Sequence, residues 1–204
     1  MNNPPETLKT KRLRLRKPVL KDAEAIFAQY AQDVEVTKYV SWRSHRTVKD
    51  TRAFLRVCLS AWEERKSFHW AIVREEDNQL VGMISARVDS HKWELGYVLA
   101  RSCWGRGYMT EVVKSLIERA FKQPEIYRVW AVCDVDNLAS ARVMEKAGMT
   151  REGILRSWSV HPNVSAVPRD SFCYSVSKQA KGSERQVAPS KRLQAETKAA
   201  KIRR

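Results

Sequence analysis

Residues 103–111, CWGRGYMTE, place Gly105 and Gly107 one residue apart, after a tryptophan and directly before a run with helical periodicity. Glycine lets backbone N–H groups approach a ligand closely. The first turn of a helix adds unpaired N–H groups at the positive end of its dipole. The stretch therefore reads as an anion site at a helix start. The helix that it opens is the clearest in the chain. Met109, Val112, Val113, Leu116, Ile117 and Ala120 follow the i, i+3, i+4, i+7 rule, while Thr110, Glu111, Lys114, Glu118 and Arg119 face away.

Working outward, KWELGYVL (92–99) precedes the turn as a strand, and YRVWAVCDV (127–135) follows the helix as a strand expected to be buried on both faces. A helical crossover between them predicts parallel pairing. Upstream, RLRLR (12–16) alternates as a strand, Lys21 to Ala31 carries helical spacing, and Thr47 with Asp50 resembles a capping box for a helix through Trp62. FHWAIV (68–73) and LVGMISARV (80–88), joined by EEDNQ, read as a hairpin. Downstream, Asn137 or Ser140 opens a short helix that Gly148 stops, and MTREGILRSWSV and DSFCYSVS supply the last strands. The expected class is α/β, with a mixed, mostly antiparallel sheet of about six to seven strands flanked by about four helices.

Two phosphate-binding designs fail at the glycine turn. A dinucleotide fingerprint needs a third glycine where Thr110 stands, and a P-loop needs a lysine followed by serine or threonine. A third design fits. W-G-R-G-Y-M-T-E resembles the pyrophosphate loop of the GNAT superfamily of acetyl-CoA-dependent N-acetyltransferases, in the W-G-x-G-Y-A-T-E form of its RimJ/RimL-type branch. The neighbouring ELGYVL, and an N-x-x-S-x-x-x-x-x-K-x-G segment at Asn137, Ser140, Lys146 and Gly148, match that family too. The family's general pattern, Q/R-x-x-G-x-G/A, falls on Trp104, Gly107 and Met109, so the chain departs from it at both ends.

The resemblance implies a GNAT fold over residues 8–177, with an extension at 1–7 and a tail at 178–204. It also implies that Trp104, Gly105, Arg106, Gly107, Tyr108, Met109 and Thr110 grip the pyrophosphate of acetyl-CoA, mainly through backbone N–H groups. Leu99 would pair with the pantetheine arm, and Asn137 and Ser140 would line its far side. The reaction implied is direct transfer of acetyl to a primary amine, chiefly a protein N-terminal α-amine. A small amine (drug, polyamine or amino-acid derivative) and non-catalytic binding of a ribosome or RNA are the alternatives.

Acetyl transfer needs a neutral amine, so a proton must be accepted. Glu94 is the candidate base: it sits with Gly96 and Val98 on one face of a strand whose other face carries Trp93, Leu95 and Tyr97. Its other reading is a structural ion pair with a neighbour such as Arg87. Ser140 is the candidate donor to the departing thiolate, or else a helix cap or pantetheine contact. Tyr108 is a weaker candidate and Cys103 lacks a declared partner. The four histidines show no ligand spacing, so no metal is expected. SWRSH (41–45) and WSVHPN with PRD (158–163 and 168–170) are expected to wall the acceptor cleft, with Trp42 and Trp158 read as core.

Composition bounds the rest. A chain of 204 residues with 43% apolar content supports one domain. Scattered cysteines, the absence of an apolar leader in MNNPPETLKTKR and of any run of about 20 apolar residues point to a cytoplasmic protein without a membrane span. The net charge is +15, and residues 178–204 hold nine Lys/Arg against two Asp/Glu. That tail has no aromatic residue, so it is expected to be disordered and able to attract RNA or another polyanion weakly.

Overall fold

The computed structural model describes residues 4–178. It contains strands β1 (Thr7–Lys9), β2 (Leu13–Arg16), β3 (Ser67–Arg74), β4 (Leu80–Asp89), β5 (Lys92–Leu99), β6 (Arg128–Asp134), β7 (Thr150–Ser159) and β8 (Arg169–Ser177). The helices are α1 (Ala23–Ile26), α2 (Val48–Glu63), α3 (Tyr108–Phe121) and α4 (Leu138–Lys146). All eight strands form one sheet in the order β1-β2-β3-β4-β5-β6-β8-β7, so the strand count exceeds the six to seven expected. The extra strand is β1, a three-residue piece too short to carry a periodic signal. Pairing is antiparallel except between β5 and β6, which α3 connects.

Helix starts follow local chemistry. Thr47 Oγ1 accepts the N–H of Asp50 at 3.3 Å, and the Asp50 carboxylate accepts the N–H of Thr47 at 2.9 Å, which is the expected capping box of α2. Asn137 caps α4 by accepting the Ser140 N–H at 3.1 Å, and Gly148 ends that segment at φ +90°. The segment read as one helix over Lys21 to Ala31 is more irregular: α1 is bounded by a 3-10 turn (Leu20–Asp22) and a π-helical turn (Phe27–Ala31).

The two sheet faces are covered differently. On one face α3 and α4 lie over Trp70, Ile72, Ile84, Trp93, Leu95, Val129, Ala131 and Tyr174. On the other, α1 and α2 cover Ala71, Met83 and Val98. Strand alternation then brings Arg87, Glu94, Trp130 and Ser175 into one cross-strand row on the α1/α2 side of the sheet, outside that helical cover. This corrects the expectation for β6. Val129, Ala131 and Cys133 are buried, but Arg128, Trp130 and Val132 on the opposite side are only half-buried.

Both ends of the described chain are engaged. Pro5 O accepts the Trp70 indole N–H at 3.0 Å, so contact with the fold begins within the stretch read as an N-terminal extension. Lys178 N–H bonds Tyr127 O at 2.8 Å; beyond Lys178 the expected tail lies outside the described residues. Trp93 is fully buried where β5 meets β6. Trp93→Ala is expected to cost about 3–5 kcal/mol, read as a lowered midpoint in urea unfolding.

Candidate active site

The parallel pairing of β5 with β6 lasts only from Lys92↔Arg128 to Glu94↔Trp130. Beyond Glu94 the two strands part. The Ala100 N–H still bonds Val81 O on the β4 side at 2.8 Å, so alternation turns the backbone groups of Leu99, Tyr97 and Leu95 toward the gap. The Leu99 carbonyl there accepts the Trp104 indole N–H at 2.8 Å, which leaves its N–H for a ligand. That contact also accounts for tryptophan at position 104: the indole ties the start of the loop to the end of β5.

The glycine turn sits at the mouth of this gap. Gly105 and Gly107 have φ of +73° and +74°, the left-handed region that side chains disfavour. With the chain bent this way, no N–H from Gly105 to Thr110 has a protein acceptor among the described residues. Such a run of free N–H groups at a helix start makes an anion-binding concavity. Met109 is buried behind the turn, as its place in the apolar stripe requires, whereas the Arg106 side chain is exposed. Tyr108 is buried under the Arg12 guanidinium, 4.6 Å from its ring centroid, which makes it a packing residue.

Glu111 holds the turn in place, a role invisible in the sequence, where it reads as a solvent-facing residue of α3. Its carboxylate accepts Thr10 Oγ1 at 2.6 Å, the Arg12 N–H at 2.8 Å and Arg12 Nε at 2.7 Å. Arg12 Nη1 in turn donates to Arg106 O at 3.0 Å. The β1–β2 turn thus grips both the loop carbonyl and the first turn of α3, and directs the loop's N–H groups outward. Burial raises the Glu111 pKa, but the hydrogen bonds from Thr10 and Arg12 outweigh it and hold the group below the ordinary value.

Across the gap, Ser140 Oγ lies 2.9 Å from the Tyr97 hydroxyl, and Asn137 spends its side-chain oxygen on the cap of α4. The gap is thus lined by Leu99 and Tyr97 on one side and by Asn137 and Ser140 on the other. Glu94 points to the opposite sheet face and pairs with Arg87, which is the more exposed partner at 65% against 25%. A second carboxylate that sequence reading missed stands nearby: Glu152 accepts Arg128 Nη1 at 2.7 Å and Ser175 Oγ at 2.6 Å. The hydrogen bond from Arg128, with that from Ser175, lowers its pKa to about 2, so Glu152 is a weak proton acceptor.

The two expected walls of the acceptor cleft meet. Asn163 Nδ2 donates to Thr37 O at 2.7 Å and Trp42 O at 2.8 Å, and Ser44 N–H donates to Asn163 Oδ1 at 3.3 Å. Trp42 packs against His45 and Phe54 at the edge of the core. Trp158, read as core, is 51% exposed, because β7 is the sheet edge and nothing lies beyond it among the described residues. All four cysteines are reduced and buried. Burial pushes the thiols of Cys58 and Cys133 up, to about 12 and about 11, and Cys103 lies in the core under α3. Among the described residues no cluster of His, Cys, Asp and Glu is arranged to hold a metal, and no helix is long and apolar enough to cross a membrane.

Parallel pairing beside a glycine turn at a helix start is what the sequence led one to expect; the parting of the strands beyond Glu94 is added by the structure. The family model of the acetyltransferase (GNAT) domain matches residues 12–150. The chain belongs to the GNAT acetyltransferases. It is 31% identical over 174 residues to the uncharacterized N-acetyltransferase YoaA of Bacillus subtilis (strain 168), which covers 84% of this chain and 96% of that protein. A GNAT-family acetyltransferase from Bacillus anthracis superposes with a TM-score of 0.72 at 31% identity, covering 84% of this chain and 98% of its own. The RimL acetyltransferase of ribosomal L7/L12, solved with coenzyme A, shares the fold with a TM-score of 0.75 at 19% identity, over 84% of this chain and 98% of its own.

This GNAT enzyme uses acetyl-CoA as its acyl donor, and the site fits that donor. The N–H groups of Gly105 to Thr110 match a pyrophosphate, and the free edge of β5 matches the amides of the pantetheine arm.

Two outcomes check this site. Gly107→Val is expected to abolish detectable CoA binding in calorimetry while the protein stays folded, since valine is strained at φ +74° and the turn that presents the free N–H groups must relax. Glu111→Gln is expected to lower stability with a defined pH dependence. Because the folded pKa of Glu111 is depressed, its contribution is complete above the unfolded value of about 4.3 and is lost as pH falls through the folded one. The melting-temperature gap between wild type and Glu111→Gln should therefore be constant above about pH 5 and close below it.

Proposed function

We propose that the enzyme acetylates the α-amino group at a protein N-terminus, by direct transfer within a ternary complex. The observation that carries this reading is the acceptor face itself: Glu94 and Trp130 lie on the sheet side away from α3 and α4, at the point where β5 and β6 part. An amine entering from the α1/α2 side would reach the thioester while acetyl-CoA occupies the gap. Support for a protein acceptor comes from a stretch of 83 residues that is 37% identical to YdaF of Bacillus subtilis (strain 168), provisionally named a ribosomal N-acetyltransferase. That stretch spans 39% of this chain and 45% of YdaF.

The chemistry favours an α-amine. Its pKa lies near 8 against about 10.4 for lysine, so at neutral pH roughly two hundredfold more of it is unprotonated. Glu94, released from the exposed Arg87, takes the proton as the N–C bond forms. The free Leu99 N–H polarises the thioester carbonyl, and Ser140 donates to the departing thiolate. The Cys133 and Cys103 thiols take no part, so no acyl-enzyme forms.

Thiol release from acetyl-CoA, measured against N-terminal peptides, polyamines and amino-acid derivatives, tests the acceptor. Peptides should be turned over with kcat/KM well above the small amines; turnover of the small amines alone overturns the reading. Glu94→Gln is expected to lower kcat roughly 10²–10⁴-fold with unchanged acetyl-CoA affinity. Full activity in Glu94→Gln together with collapse in Glu152→Gln would transfer the base to Glu152.

A further inference from the structure

We propose that Tyr97 is a positioning residue for acetyl transfer: its phenol holds the Ser140 hydroxyl so that the serine proton is directed at the departing thiolate. The inference rests on the reading of Ser140 as the leaving-group donor, and it gives a role to a residue of ELGYVL that the sequence reading placed only on a strand face.

The geometry is specific. The Tyr97 hydroxyl lies 2.9 Å from Ser140 Oγ and 3.2 Å from Ser140 O. The phenol has one proton and two acceptors on Ser140, and either hydroxyl can donate in the contact between them; once an anion stands in the gap, the order Tyr97 O–H to Ser140 Oγ and Ser140 O–H to the anion puts the serine proton on the charge. Near the start of a helix, serine ordinarily turns its hydroxyl back onto local backbone. Ser140 makes no such bond among those of the described residues, and its N–H is already fixed on Asn137 Oδ1 at 3.1 Å. Its side-chain neighbours are the Tyr97 hydroxyl and the Cys133 thiol, and because a thiol is the weaker hydrogen-bonding partner, Tyr97 is the contact that sets its rotamer.

Position supports the role. Tyr97 lies on β5 beyond Glu94, where the strand no longer pairs with β6, and reaches across the gap to α4. The pair thus bridges the two walls between which the pantetheine thiol must lie. Burial raises the Tyr97 pKa, so the phenol keeps its proton and acts as a fixed donor, with no net transfer from it. The balance closes without it. The N–C bond forms, the C–S bond breaks with its electron pair on sulfur, and the proton taken by Glu94 returns through solvent to the free thiolate. Ser140 and Tyr97 stabilise the sulfur's charge meanwhile, because hydrogen bonds to an ionised acceptor are the stronger ones.

The test uses coenzyme A itself as the probe, with the full chain. The thiol of bound CoA is titrated by thiolate absorbance on wild type, Ser140→Ala, Tyr97→Phe and the double variant. The thiol pKa should be lowest on wild type, higher on both single variants, and no higher on the double variant than on Ser140→Ala. In turnover of a peptide acceptor, Tyr97→Phe should lower kcat about tenfold in the wild-type background and have no effect in the Ser140→Ala background, with KM for acetyl-CoA unchanged in both. A Tyr97→Phe enzyme that titrates like wild type while Ser140→Ala does not overturns the positioning role alone. Identical titration in all four proteins removes Ser140 from the leaving side and the proposal with it.

Discussion

The parting of β5 and β6 is the constraint on which the rest of the site depends. Parallel strands normally satisfy each other's backbone groups along their whole length, and a buried N–H or C=O without a partner costs about 1–3 kcal/mol. Here pairing stops after Glu94↔Trp130, while β5 runs on to Leu99. The inner edge of β5 is thus a row of hydrogen-bonding groups held open by the fold. Part of that row is satisfied internally, since Trp104 takes the Leu99 carbonyl. The remainder matches a donor that brings its own amides.

Two clamps keep the gap usable. At its mouth, Glu111 binds Thr10 and Arg12, and Arg12 binds the Arg106 carbonyl, so a turn at the far edge of the sheet sets the glycine loop and its free N–H groups. At its inner end, Tyr97 binds Ser140 and fixes the separation of β5 from the start of α4. Charged and hydroxyl groups serve better than apolar contacts here. Their bonds are directional, and the elements that they join must stay apart and yet stay registered.

Much of this was legible from periodicity and punctuation. The stripe from Met109 to Ala120, the capping box of Thr47 and Asp50, the cap at Asn137 and the stop at Gly148 all lie where the spacing puts them. These are local devices, each decided by residues within one or two turns of one another. Expectations failed where burial depends on distant segments. Trp158 looked like core because tryptophan usually is, but it lies on an edge strand. Arg128 to Asp134 looked buried on both faces, but among the described residues no helix covers the Trp130 side.

The sequence alone determined the family and the glycine turn, and named Glu94, Asn137 and Ser140 as candidates, because those motifs are contiguous and a backbone anion site needs only glycines before a helix. Tertiary structure decided which of those groups are free to act. The Leu99 carbonyl is taken and its N–H is not; Glu94 is paired with Arg87; Glu152, Tyr97 and Glu111 bond partners 23, 43 and 101 residues away in the sequence. Hydrogen-bond partnership across such separations depends on strand register and helix docking, and neither is written in the spacing of any single motif.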